Sequence, residues 1–222
     1  MNGYSQPVDI FVPATFDTRA PFALAYHFMG YWTKPAYNPF TATNGDYGSY
    51  LAAANKNAIL ILPESTGSDS TYAKDLNTAA KLNSFFHAID AVLQNGGVRA
   101  DDSTPLLLTG HSGAYVELGL IGTWAASHAV PALVSVRGFA LFDCGYGYRA
   151  GLAQILSVMR ANGHAAYFSA YNPVNSSGKK STMQRLERDL GCSSDVKFVE
   201  NTNITHMSFM KNYMTEFFEF AL

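Results

Sequence analysis

Short apolar runs rich in β-forming residues recur along this chain, and stretches with helical spacing separate most of them. Residues 8–12 and 22–28 read as two strands parted by the turn-like Asp17-Thr18-Arg19. Residues 58–62 form a continuous apolar run closed by Pro63, as in a strand buried on both faces. Across residues 76–93, Leu76, Ala80, Phe85, Ile89 and Val92 share one face, which predicts a helix, and Gln94-Asn95-Gly96-Gly97 ends it. The alternation continues with strands at 106–108, 139–142, 165–170 and 196–199. Helices are expected at 114–124, 150–162, 181–190 and about 208–220. Strands that alternate with helices of this length imply an α/β fold, a mostly parallel sheet covered on both faces. At 222 residues, with no internal repeat and no Pro/Ser linker, one domain over residues 1–222 is expected.

Composition excludes several classes. Lys plus Arg number 15 against 17 Asp plus Glu, and no basic stripe occurs, so no nucleic-acid partner is expected. No run of about 18 apolar residues occurs, so no membrane-spanning helix is expected. Only two cysteines, Cys144 and Cys192, rule out a disulfide-dense scaffold or a Cys-rich zinc site. A bond between them is open, as is the free state of both. No H-E-x-x-H, calcium loop, G-x-G-x-x-G or Walker loop is present, so no metal and no cofactor is expected. Charged residues are only 14 %, against a usual ~25 %, and Tyr, Asn, Ser and Thr supply the polar surface instead. Met1-Asn2-Gly3-Tyr4 has no charged n-region and no apolar h-region. The expectation is either a cytoplasmic protein or, by preference, an exported one whose signal peptide has been removed.

In a parallel sheet covered by helices, chemistry sits beyond the carboxyl ends of the strands. After the 106–108 strand comes Thr109-Gly110-His111-Ser112-Gly113-Ala114. A serine flanked by small residues two places away on either side marks a tight strand-to-helix turn that exposes its hydroxyl. The last position is Ala rather than Gly, a small departure. A serine hydroxyl needs a base. Of six histidines, His206 follows the last strand and precedes the last helix, at the correct end of the sheet. His27 reads as a satisfied interior residue, and His87, His128 and His164 as surface or boundary residues. His111 adjoins Ser112, with its side chain leaving the turn on another side.

A base needs an acid to hold its tautomer. Asp143 directly follows the 139–142 strand, and the order Ser112, Asp143, His206 is that of a hydrolase triad. The following strand end, Tyr171-Asn172-Pro173, carries no carboxylate, while Glu200 and Asp195 flank the last strand as weaker alternatives. Asp143 also suits a plain turn-capping role. An oxyanion hole needs two converging amides. Gly113 supplies one, and Tyr31, after Met29-Gly30, is expected to supply the other. The side chains of Tyr31 and Trp32 either wall the substrate or pack at the rim.

With these residues the chain resembles the α/β-hydrolase superfamily, over nearly its whole length from Val8 to the final helix. The resemblance rests on Gly110-His111-Ser112-Gly113-Ala114, His27-Phe28-Met29-Gly30-Tyr31-Trp32, Asp143 and His206. The second segment is similar to the superfamily's HG-x oxyanion strand, with Met29 where many members carry His. An acid one strand earlier than usual matches a minority layout of the superfamily. Small esterases of the polyester-depolymerase and feruloyl-esterase kind look like relatives. The resemblance implies a serine esterase acting through an acyl-enzyme on a small-molecule or polymeric ester. An amidase or peptidase with the same triad, or a non-catalytic binding protein on this scaffold, are the alternatives. Residues 144–149 leave space for only a short loop, so no large cap is expected. Segments 33–50, 64–72, 145–148 and 172–178 are the expected walls, with Trp32 and Tyr146 as substrate-binding residues.

Overall fold

The computed structural model describes residues 4, 6–30, 47–65, 72, 75–174 and 177–222. Seven strands form one sheet: β1 (Val8–Phe11), β2 (Ala23–Phe28), β3 (Ala58–Pro63), β4 (Leu106–His111), β5 (Val136–Phe142), β6 (Ala166–Tyr171) and β7 (Val196–Glu200). Their order is β1-β3-β2-β4-β5-β6-β7. β1 runs antiparallel to β3 at the edge, and every other neighbouring pair is parallel. The helices are α1 (Tyr47–Ala54), α2 (Ala79–Asn95), α3 (Tyr115–Ala126), α4 (Ala150–Ala161), α5 (Ser177–Leu190) and α6 (Phe209–Ala221).

Strand alternation assigns the two faces. Leu24, Tyr26, Phe28, Ile59, Ile61, Leu108, Phe139, Leu141 and Tyr167 point to one face. There they meet Phe85 and Ile89 of α2, Leu118 and Ile121 of α3, Ile155 of α4 and Leu186 of α5. Ala25, Leu60, Leu107, Phe142 and Phe168 point the other way, onto Leu51 of α1 and the apolar side of α6. Five residues of α6 are buried: Phe209, Met210, Met214, Phe217 and Phe218. At about 1.5–3 kcal/mol for each fully buried side chain, this docking far outweighs any intrinsic helix propensity. It also fixes the short segment before α6, which carries His206.

Two expectations shift. The 76–93 helix begins later, at Ala79, because Thr78 caps it with its side chain accepting from Lys81 N at 3.2 Å. Val92 lies outside its buried face, at 45 % exposure, and Leu93 takes the core position. Residues 47–50 belong to α1 rather than to a wall loop. Tyr47 is fully buried against the sheet, where Leu51 and Ala54 continue the same apolar face.

Glu117 of α3 is an exception to this apolar logic. It is 3 % exposed, and its Oε1 has no hydrogen-bond partner. Burial pushes its carboxyl up to about 8. The folded protein therefore holds a proton here that the unfolded chain releases above about pH 4.5, so stability falls as pH rises from there towards about 8. Comparing urea unfolding of wild type and Glu117→Gln across this range isolates the effect. The wild type is expected to lose about 3–5 kcal/mol relative to the variant. Parallel curves would show that Glu117 ionises freely in place.

Candidate active site

β4 ends at His111, and the chain passes through a single 3₁₀ turn, Ser112–Ala114, straight into α3. Ser112 takes a left-handed backbone conformation, φ 57°, which is uncommon for a residue with a side chain. Packing explains the small neighbours. A Cβ on Gly110 would lie 3.0 Å from Ala114 Cβ and 2.5 Å from Leu118 Cδ1, so neither flank has space for a larger group.

The end of β2 lies against this turn. A Cβ on Gly30 would sit 2.5 Å from Gly113 N and 2.7 Å from Ser112 Cβ. Glycine at position 30 thus keeps open the space before the Gly113 amide. Three contacts hold this strand end: Met29 N donates to Tyr72 Oη at 2.9 Å, Tyr72 Oη donates to Pro63 O at 3.0 Å, and Ser65 Oγ donates to Gly30 O at 3.2 Å. Tyr31 and Trp32 lie outside the described residues.

Asp143 follows β5 in a left-handed conformation, φ 44°, and is fully buried. Its Oδ1 accepts from Asn172 N at 2.9 Å, and its Oδ2 pairs with His206 Nδ1. His206 sits in a 3₁₀ turn, His206–Ser208, between β7 and α6, with its side chain about one-third exposed. Tyr146, on the loop after Asp143, closes the group. Its ring stands edge-on to His206 at 6.1 Å, and its hydroxyl lies 3.4 Å from His206 Nδ1. Burial, then the Asp143 charge, pushes this phenol up to about 12. Ser112, Asp143, His206, Gly113 and Tyr146, picked out in the sequence, thus lie at the carboxyl ends of β4, β5 and β7, on one end of the sheet.

Other expectations are sorted by geometry. Asp195 is held by Arg160, Nε to Oδ2 at 2.7 Å, which keeps its carboxyl well below the usual range. Glu200 accepts from Tyr171 Oη at 3.4 Å. His27 is buried but only half satisfied: Nδ1 meets Thr109 Oγ1 at 2.7 Å, and Nε2 has no partner. Neither cysteine is in a disulfide; Cys144 is buried and Cys192 exposed. Of the expected wall segments, 33–46, 66–71 and 175–176 lie outside the described residues, and Ser177 onward is helical.

Two contributors escaped the sequence reading. Asn172 stands on the strand end where an acid was sought. Its backbone N–H serves Asp143, and its side-chain amide donates to Ile204 O at 3.2 Å. A single polar residue following a strand gives no signal of such bridging. The His111 side chain runs to His206 and contacts it through its ring and its Nε2. Alternation along β4 carries the signal, since Leu107, Thr109 and His111 share the face on which α6 and the segment before it lie.

Elsewhere, His87 and Asp90 of α2 approach Asp102, with one potential ligand atom of each within 4.8 Å of the others. Spacing in the sequence did not reveal this group. It lies towards the amino end of β4, as does a cleft of about 530 Å³ lined by residues such as Asn57, Arg137 and His164. Strand-end chemistry is expected at the other end of the sheet.

No family model and no curated protein matches this sequence. Solved structures do match. A feruloyl esterase module from Clostridium thermocellum, complexed with sinapinate, superposes with a TM-score of 0.64 at 13 % identity, over 97 % of this chain and 83 % of that one. A fluorophosphonate-binding serine hydrolase from Staphylococcus aureus gives 0.59 at 10 % identity, over 96 % and 91 %. Acyl-protein thioesterase 2 from Zea mays gives 0.55 at 11 %, over 96 % and 100 %. The chain has the α/β-hydrolase fold.

Proposed function

We propose that this protein is a serine hydrolase that cleaves carboxylic esters. The observation that carries the reading is the Asp143–His206 pair, formed across 63 positions of sequence and set beside a left-handed serine. A buried carboxylate on an imidazole Nδ1 selects the tautomer whose Nε2 accepts a proton.

In this reading Ser112 Oγ attacks the ester carbonyl while His206 Nε2 takes its proton. The negative oxygen of the tetrahedral intermediate is held by the amides of Gly113 and Tyr31. Collapse breaks the bond to the alcohol oxygen, which leaves with the proton from His206. Water then attacks the acyl-serine, giving its proton to His206, and the acid departs as Ser112 Oγ is reprotonated. Asp143 stays ionised and stabilises the transient imidazolium. Tyr146, with Trp32, contacts the substrate.

An ester is favoured by the company the fold keeps: the similar structures include a feruloyl esterase and an acyl-protein thioesterase. The test is incubation with a fluorophosphonate followed by peptide mass spectrometry. Modification is expected at Ser112 in the wild type and is lost in Ser112→Ala and His206→Ala. Folded wild-type protein that stays unmodified would sink the reading and favour a binding role for the scaffold. Matched ester and amide substrates then test the bond, and amide turnover alone would reassign it.

A further inference from the structure

We propose that His111 is the positioning residue of His206; this rests on the reading of His206 as the base. His111 Nε2 lies 3.0 Å from the carbonyl oxygen of His206, which has only acceptor capacity, so the imidazole is the donor. The two rings overlap, with centroids 4.3 Å apart and planes 31° from parallel. One side chain thus grips the backbone of the base and backs one face of its ring. His111 itself is 2 % exposed and sits on the last position of β4, a strand paired on both sides.

The arrangement answers a mechanical problem. His206 lies on a short turn rather than on a strand or long helix, and a third of its side chain faces solvent. Asp143 and the Tyr146 hydroxyl both meet the ring at Nδ1, which leaves it free to tilt about that end. The carbonyl bond and the stacked face remove that freedom, which in the proposed mechanism keeps Nε2 aimed at Ser112. A displacement of about 1 Å at such a site costs on the order of 100-fold in rate.

The titratable groups facing His111 are His206 before α6, His27 on β2 and Asp143 after β5. Burial, with the neighbouring His206, holds the His111 ring neutral down to about pH 3. It therefore keeps an Nε2 proton and adds no charge that would oppose protonation of His206 during turnover.

Two substitutions separate the contacts. His111→Gln keeps an N–H donor at similar reach, and His111→Phe keeps the stacked ring but has no donor. Initial rates on a soluble aryl ester and the rate of fluorophosphonate labelling at Ser112 are the readouts. His111→Phe is expected to lower kcat about 30- to 100-fold with KM within about twofold, and His111→Gln to restore kcat to within about threefold of wild type. If wild type is not labelled at Ser112, the hydrolase reading fails and this inference with it. If wild type is labelled and His111→Phe matches it, the inference alone is overturned.

Should His111→Phe fail to fold, His111→Gln and the wild type decide. A loss of about 30-fold or more in folded His111→Gln, which keeps the donor, overturns the carbonyl bond as the contact that positions His206. Nitrogen NMR of the wild type is expected to show His111 as the Nε2–H tautomer without titration between pH 5 and 9. A His111 ring that titrates near its ordinary value of about 6.5 would also overturn it.

Discussion

Asp143→Asn is expected to lower kcat on an ester about 10⁴-fold while leaving the melting temperature nearly unchanged. The local structure makes this substitution unusually clean. Asparagine tolerates a left-handed backbone at least as well as aspartate, so φ 44° is no obstacle. Its side-chain oxygen can still accept from Asn172 N, the 2.9 Å contact that Oδ1 makes in the native protein. The atom that replaces Oδ2 is then an NH₂ group. It can only donate to His206 Nδ1, which drives the ring proton to Nε2. In that tautomer the base cannot accept from Ser112. A loss of 10⁴ corresponds to about 5.5 kcal/mol of barrier, far above the ~1 kcal/mol of an ordinary hydrogen bond. Steady-state kinetics decide the matter, and a kcat within tenfold of wild type would remove Asp143 from the proposed triad.

The second large effect is on stability. Gly122→Ala is expected to destabilise the protein by about 3 kcal/mol and lower its melting temperature by about 6–12 °C. Here α3 and α4 pack backbone to backbone: a Cβ on Gly122 would lie 2.0 Å from Gly151 O, and one on Gly151 would lie 1.9 Å from Gly119 O. Backbone atoms cannot rotate aside as a side chain can, so the helices must separate. Alanine gains about 1 kcal/mol of helix propensity over glycine, and the expected loss is net of that gain. Because α3 starts directly after the Ser112 turn, the labelling rate at Ser112 should fall in the same variant. Thermal unfolding that matches wild type would show that the seam can open without cost.

Much of the site was legible because its parts leave local marks. The Ser112 turn needs small residues at 110 and 114, and an apolar strand leads into it. Asp143 and His206 each come soon after a β-rich run, where a parallel sheet collects its chemistry. The parts that were not legible depend on contacts between distant segments. Asn172 acts through its backbone N–H, which every residue but proline has. His111 was set aside because it adjoins Ser112, although strand alternation carries its side chain across the sheet to His206. α1 went unseen because Tyr47, Gly48 and Ser49 look like loop residues until Tyr47 and Leu51 are placed on one buried face.

Ser112 and Asp143 share a property that neither chemistry nor packing requires of a side chain: both sit in the backbone region that glycine prefers. Each such residue holds about 1–3 kcal/mol of strain. Glycine at position 112 would relax the backbone and remove the proposed nucleophile in the same step, whereas glycine at 143 would also strip Asn172 N and His206 Nδ1 of their carboxylate. A laboratory selection for thermal resistance alone would therefore drift towards Ser112→Gly. Persistence of serine under such pressure, in a selection that also demands turnover, would mark the position where activity and robustness pull the chain in opposite directions.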